Sequence, residues 1–220
     1  NNKIVKTGKI EKMSKSKKNV VDPAKIIDMY GADTARWFML SDSPPERDLE
    51  WTDTGIGSSY KFINKIWRLL EEVVSRKNSE FSESKNDYIE QILNIATIDI
   101  TKNIEEFHFN KSVANVYELI NKIQKIIEKK SASKTNLLDF FQKLAILIQP
   151  FTPHLSEEIW KKLNCSDFVI NQNWPKANND YVLAESKIAV QINGKTRVIL
   201  EFKKGTKKEE VEKIAINNHK

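Results

Sequence analysis

Apolar side chains recur three and four residues apart through the middle of this chain, and that spacing leaves little choice of fold. Tyr60, Ile63, Trp67, Leu70 and Val74 form one such stripe, and Ile89, Leu93, Ala96 and Ile100 a second. Val113, Val116, Tyr117, Ile120, Ile123 and Ile127 form a third, and Phe140, Phe141, Leu144, Leu147 and Ile148 a fourth. An α-helix turns once in about 3.6 residues, so each set falls on one face that has to be buried. Only six glycines and six prolines are spread over 220 residues, so these segments run unbroken. Asn110 is placed to cap the third helix, and Pro150 ends the fourth. Thr152-Pro153 opens a shorter fifth helix through Ile159 and Leu163. Short connections between such helices give an antiparallel bundle. The longest linker, Asn78 to Asn86, is polar and is expected to be mobile.

The flanks read differently. Residues 3–21 carry no helical period; Gly8 and the Lys/Ser run from Lys12 to Lys18 predict a loop between short extended pieces. Asp22-Pro23 then starts a short helix that stops at Gly31. A second short helix, Ala32 to Leu40, is expected to bury Ala35, Phe38 and Met39, and Ser41 to Asp53 is a connector broken by Pro44-Pro45. Past Trp174-Pro175 the period falls to two, with Ile188, Val190 and Ile192 alternating with polar or small neighbours. Asn193-Gly194 signals a hairpin turn, Arg197 to Phe202 the return strand, and Thr206 to Glu209 a capping box for a last helix. A ββα unit of this size buries too little to stand alone, so it is expected to be cut short or to lean on the bundle.

Charge divides the chain in the same places. Residues 1–30 carry a net charge of +5, residues 31–186 of −4 and residues 187–220 of +5. A basic end is either an ordinary solvated face or a phosphate-binding one. No apolar run nears the roughly 18 residues that would span a membrane, and the polar, basic start does not read as a secretory signal. A single cysteine, Cys165, excludes an intrachain disulfide and a cysteine zinc site; His108, His154 and His219 are too scattered to suggest a metal cluster. A cytoplasmic protein without a bound metal is expected. The missing initiator methionine suggests a fragment.

Lys12-Met13-Ser14-Lys15-Ser16 is the stretch with most chemical content. Two lysines three apart, with hydroxyl residues beside them, can close over a polyphosphate and neutralise charge as a phosphorus–oxygen bond breaks. Lysine suits phosphates that move, because a point charge follows them better than a rigid fork. The same composition also describes a plain solvated loop or a nuclear-localisation-like patch.

In its wider setting this stretch resembles a known family. Glu11 through Pro23, continued by Tyr30-Gly31-Ala32-Asp33-Thr34-Ala35-Arg36, looks like the second signature of class I aminoacyl-tRNA synthetases. Within that class the resemblance is to the leucyl-tRNA synthetases of bacterial type. Lys17-Lys18-Asn19 replaces the Leu-Gly-Asn usual in valyl and isoleucyl enzymes. Ser43 to Trp51 is a leucyl-type connector, and Val190 to Arg197 resembles the start of the leucyl C-terminal domain. Phe109 to Val113 and Gln149 to Trp160 match the helical anticodon-binding domain.

The resemblance implies a mainly α fold in three parts: a KMSKS loop and short helical connector over 1–54, an antiparallel helical bundle of the class Ia anticodon-binding type over 55–172, and a linker with a truncated ββα C-terminal domain over 173–220. It implies an aminoacyl-tRNA ligase that activates leucine with ATP, assisted by Mg2+, and charges tRNA(Leu) as a cytoplasmic monomer. The upstream signature, nucleotide-binding sheet and editing domain are absent, so the fragment should be inactive alone, with its loop mobile for want of a partner surface. Catalytic roles fall to Lys15, which would stabilise the leaving pyrophosphate, and to Lys12. Lys12, Met13, Ser14, Lys15 and Ser16 would bind ATP. The tRNA-binding candidates are Lys61 and Lys65, where the family carries two arginines, together with Arg68 one turn on and Lys195 and Arg197 about the hairpin; Lys203, Lys204, Lys207 and Lys208 extend that basic stretch. Trp37, Trp67 and Trp160 are expected in the core, Trp51 and Trp174 against helix ends. His154 is expected to be structural and Cys165 without a role. A freestanding tRNA- or RNA-binding module, or a valyl- or methionyl-type synthetase fragment, are the alternatives.

Overall fold

The computed structural model describes residues 11–42, 44–83, 86–178, 186–192, 195–202 and 206–217. Its elements are α1 (Pro23–Tyr30), α2 (Ala32–Ser41), α3 (Asp53–Ser75), α4 (Asp87–Glu105), α5 (Phe109–Glu128), α6 (Lys134–Ile148), α7 (Pro153–Lys162), β1 (Ser186–Ile192), β2 (Lys195–Phe202) and α8 (Lys208–Asn217). The fold is mainly helical with one small antiparallel sheet.

The core is a continuous cluster reaching from Trp37 to Val169, drawn from α2 through α7. Ile89, Leu93, Ala96 and Ile100 of α4 are buried as their spacing requires, as are Val113, Val116, Ile120, Ile123 and Ile127 of α5. All five residues of the fourth stripe are buried on α6. Fully burying one such side chain stabilises by about 1.5–3 kcal/mol, so the bundle is held chiefly by this interface.

Two stripes are displaced from their expected positions. On α3 the buried face is Ile56, Ser59, Phe62, Ile66, Leu69, Leu70 and Val73; Tyr60 is 42% exposed, and Ile63, Trp67 and Val74 only flank the core. The helix carries two adjacent apolar rows, and α2, α5 and α6 cover the one through Phe62 and Ile66. On α2, Met39 is 58% exposed and Ala35 half-buried, whereas Trp37 is fully buried. Trp37 stacks on Phe62 at 5.4 Å and meets Tyr117 and Phe151 at 5.8 and 6.1 Å. Its indole Nε1–H donates to the Tyr117 hydroxyl at 3.2 Å. One large ring with a satisfied donor thus fixes α2 in the head of the bundle. Burial pushes the Tyr117 phenol above its ordinary pKa, partly offset by that donor.

Three helices close in a left-handed turn that no glycine supplies. Phe107, Lys130 and Asn164 adopt positive φ (59°, 52° and 56°) after α4, α5 and α7. Each lies in a Schellman pair, as in His108 N–H to Asn103 carbonyl (2.7 Å) with Phe107 N–H to Ile104 carbonyl (3.0 Å). The first of these explains why Asn110 is not the cap of α5. The chain turns directly from α4 into α5, and the His108 carbonyl opens the helix by accepting from Lys111 and Ser112 N–H. Asn110 lies inside the first turn, with its Oδ1 buried and unpartnered among the described residues.

The 78–86 linker is pinned where it is described. Asn78–Glu80 is a 3₁₀ turn, Phe81 is buried, and Asn86 donates its N–H to Asn136 Oδ1 (2.9 Å) and its Nδ2 to the Ser131 carbonyl (2.8 Å). Residues 84 and 85 lie outside the description.

Beyond the bundle, Trp174 donates to Thr101 Oγ1 at 2.8 Å and the Asn178 N–H to Asn94 Oδ1 at 2.7 Å, so the outgoing chain lies along α4. β1 and β2 pair antiparallel. Val190 opposes Val198 but Gln191 opposes Thr196, so Arg197 is the extra residue of a bulge. The expected Asn193-Gly194 turn and Lys203 and Lys204 lie outside the described residues. α8 starts at Lys208, its first turn bonded to the Lys207 carbonyl.

Candidate functional site: a cationic loop tied to a helical bundle

The Lys12–Ser16 loop is solvent-exposed apart from half-buried Ser14. It closes on itself through turns: Lys17 N–H to the Ser14 carbonyl and Lys18 N–H to the Lys15 carbonyl, both at 3.2 Å. The Ser14 and Ser16 hydroxyls bond each other at 3.0 Å, and Ser14 Oγ also accepts from Lys17 N–H at 3.3 Å. Glu11 pairs with Lys17 at 2.9 Å. Neither the Lys12 nor the Lys15 ammonium has a partner among the described residues. One lysine is therefore neutralised locally while the two of the motif keep their charge available. Asn19, which the sequence marks only as part of the signature, reaches back with its side chain to Ser14 N–H (2.8 Å) and the Lys12 carbonyl (3.4 Å).

The loop runs into α1, where Asp22 caps by accepting from Ala24 N–H at 3.0 Å. Gly31 then turns the chain into α2 at φ 84°, which L side chains rarely adopt. α2 is locked to the bundle at two points. Trp37 is one. The other is Asp33, buried, whose Oδ2 accepts from Leu155 N–H at 2.7 Å. Thr152 makes no side-chain cap bond for α7, so Asp33 supplies that cap from a different helix. Arg36 bonds its Oδ1 at 2.8 Å, and His154 Nδ1 lies 3.6 Å away. Asp33 could not be found from local spacing because its partner is 122 residues distant. His154 is exposed at the edge of this cluster, in a cap and not in a reactive pair.

Lys61, Lys65 and Arg68 share one side of α3, as their spacing requires. They are not equivalent. Lys61 is exposed with no partner among the described residues. The Lys65 ammonium donates to Asn121 Oδ1 of α5 at 2.8 Å, and Arg68 Nε reaches the Asn64 carbonyl at 3.4 Å. Lys162 of α7 lies 5.8 Å from the Trp67 ring centroid and pairs with Glu71 at 3.0 Å. Arg197 is exposed at the bulge, which re-aims its strand; the side chain of Lys195 is outside the description. Burial pushes the Cys165 thiol up, away from the thiolate form. Among the described residues no group of His, Cys, Asp and Glu could hold a metal ion, and no helix is long and apolar enough to cross a membrane.

Comparison with known proteins places this geometry. Residues 86–213 match the family described as the anticodon-binding domain of tRNA ligase. The chain belongs to that family. Residues 1–52 match the description of class I tRNA synthetases for isoleucine, leucine, methionine and valine. Leucine–tRNA ligases from Rhizorhabdus wittichii and Zymomonas mobilis are 43% and 42% identical over 215 and 218 residues, covering 97% and 98% of this chain. The chain spans about a quarter of the length of these relatives, 24% and 25%. Among solved structures, the ternary complex of Agrobacterium radiobacter K84 LeuRS with tRNA and LeuAMS matches 93% of this chain and 28% of that one. Its TM-score is 0.72 at 26% identity. The relatives' names favour the leucyl resemblance over the valyl and methionyl alternatives, and the match through the N-terminal loop favours it over a freestanding module.

Proposed function

We propose that this chain serves a leucine–tRNA ligase, carrying the loop that meets ATP and the helices that face tRNA(Leu). The observation that carries the reading is the pair of ammonium groups, Lys12 and Lys15, unpartnered among the described residues, on a closed loop joined through α1 and α2 to an anticodon-binding bundle. In the reaction a leucine carboxylate attacks the α-phosphorus of ATP, and the bond to the bridging oxygen of pyrophosphate breaks. Negative charge grows on that oxygen, and Lys15, with Lys12 beside it in the chain, supplies the compensating positive charge. The Ser14–Ser16 hydroxyl pair has one O–H left over to donate outward, and Met13 stands exposed between Lys12 and Ser14. Mg2+ would accompany the ATP; no step is assigned to a metal held by these residues. Lys61, Lys65, Arg68, Lys195 and Arg197 would meet tRNA phosphates, with Lys61 and Arg197 the readiest because each is exposed and unpartnered among the described residues, whereas Arg68, also exposed, is engaged by the Asn64 carbonyl. Tethering α2 at Trp37 and Asp33 would keep the catalytic loop in a fixed relation to the tRNA-facing helices. The setting would be cytoplasmic and the protein monomeric.

The test is a chimaera in which this chain replaces the matching quarter of the Zymomonas mobilis enzyme. Lys15→Ala should slow ATP–pyrophosphate exchange about 10²–10³-fold, with leucine affinity nearly unchanged. An exchange rate indifferent to Lys15 would remove it from this role.

A further inference from the structure

The Lys12–Ser16 loop has almost no apolar burial to hold its shape, yet its main chain is closed at several points. Asn19, three residues past the motif, makes the longest-reaching of these closures. Its Oδ1 accepts from Ser14 N–H at 2.8 Å, and its Nδ2 donates to the Lys12 carbonyl at 3.4 Å. In an extended chain the carbonyl of one residue and the N–H two residues later share an edge, so one carboxamide can hold both, as a neighbouring strand would. The unit so held is Met13 with its two flanking peptide groups. Lys18 makes the reach possible: its φ of 53° turns the chain back after the 14–17 and 15–18 bonds.

The choice of a carboxamide has an electrostatic consequence. Lysines stand at 12, 15, 17 and 18, and Glu11 offsets only Lys17 among the described contacts. A neutral side chain can close the loop without lowering the positive potential that Lys12 and Lys15 present. An ionised carboxylate at 19 would still accept from Ser14 N–H, but it could not donate to the Lys12 carbonyl and would add negative charge beside both lysines.

We propose that Asn19 is a positioning residue: it holds the Lys12–Ser16 loop closed in advance, so that its two ammonium groups engage a pyrophosphate group without first ordering the main chain. Ordering a flexible loop on binding costs affinity, and pre-ordering removes that cost. This inference rests on the loop's reading as a polyphosphate-binding element.

The test uses the 220-residue chain labelled with nitrogen-15, inorganic pyrophosphate as the probe, and Asn19→Ala, Asn19→Asp and Lys15→Ala. In Asn19→Ala the Ser14 amide should move toward its random-coil position and exchange faster with solvent. Pyrophosphate affinity should fall about fivefold, the scale of one net hydrogen bond. The Trp37 indole resonance and the melting temperature should stay put, which a merely structural role would not allow. Asn19→Asp should keep the Ser14 amide near its original position and still bind pyrophosphate more weakly. Lys15→Ala should weaken binding with the Ser14 amide unmoved, separating loss of charge from loss of loop form. An unmoved Ser14 amide in Asn19→Ala overturns the closure. A moved amide with equal affinity overturns the positioning role. Absence of saturable pyrophosphate binding by the unsubstituted chain overturns the loop's reading itself, and the proposal with it.

Discussion

Ser14 and Phe141 are held by opposite means. Phe141 lies on α6 with no exposed surface, packed edge-to-face on Phe140 at 5.4 Å within a core that spans six helices. Ser14 sits in an exposed loop and is held by Asn19 Oδ1, Ser16 Oγ and Lys17 N–H. The bundle takes its shape from water excluded; the loop takes its shape from polar groups that remain beside water. Each exposed hydrogen bond contributes only about 0.5–1.5 kcal/mol net, so one substitution can undo the shape of the loop, whereas the bundle rests on many buried side chains at once. α2 joins the two kinds of order, through Trp37 in the core and Asp33 at the head of α7. A substitution in the bundle should therefore read out as stability, and one in the loop as phosphate affinity.

The largest effect that would sharpen this contrast is Phe141→Ala. It should cost about 3–5 kcal/mol of unfolding free energy, seen as a lowered denaturant midpoint. Pyrophosphate affinity below the new transition should be unchanged; a proportional loss of affinity would break the division. Asp33→Ala comes next. It removes the only side-chain cap described for α7 and should cost about 1–3 kcal/mol by the same measurement. Because Asp33 sits between the regions, this variant should also loosen α1 and α2, seen as faster amide exchange there than in α4. Equal exchange in both would mean that Asp33 supports α7 alone. The smallest effect is a gain. Lys130 holds φ 52° at the end of α5 with an exposed side chain, and Lys130→Gly should stabilise by about 1 kcal/mol without touching the loop. A loss at that position would mean that the Lys130 side chain contributes more than its backbone strain costs.

What could be read from sequence follows the same division. α4, α5 and α6 were legible because their buried faces are single rows with one helical period, and Asp22-Pro23 carried the start of α1 in its local chemistry. α3 was legible as a helix but not in its rotation. Tyr60, Ile63 and Trp67 make as good a row as Phe62, Ile66 and Leu69, and only the neighbours decide between them. Trp37 was expected in the core, but Met39 and Ala35 were wrongly given its face, since α2 is too short for its period to be decisive. Asn110 looked like a cap because its type is right; a Schellman turn that needs no glycine had already used the preceding residues. In the site, Lys12 and Lys15 were visible as a pattern. Asn19 and Asp33 stood inside the signature without a role, because each acts through the backbone of a distant or folded-back segment that no spacing rule reports. The lysines on α3 looked alike in sequence, and only the fold shows Lys65 engaged by Asn121 while Lys61 is exposed and unpartnered among the described residues.

The central claim is that these helices and the hairpin face tRNA. It is tested most directly by binding this chain to purified leucine, valine and methionine tRNAs across a salt series. The account predicts phosphate-dominated binding that weakens steeply with salt, with a preference for leucine tRNA that survives near-physiological ionic strength. Binding equal for all three tRNAs, and lost as salt rises, would contradict it and leave only generic attraction between basic ends and phosphate.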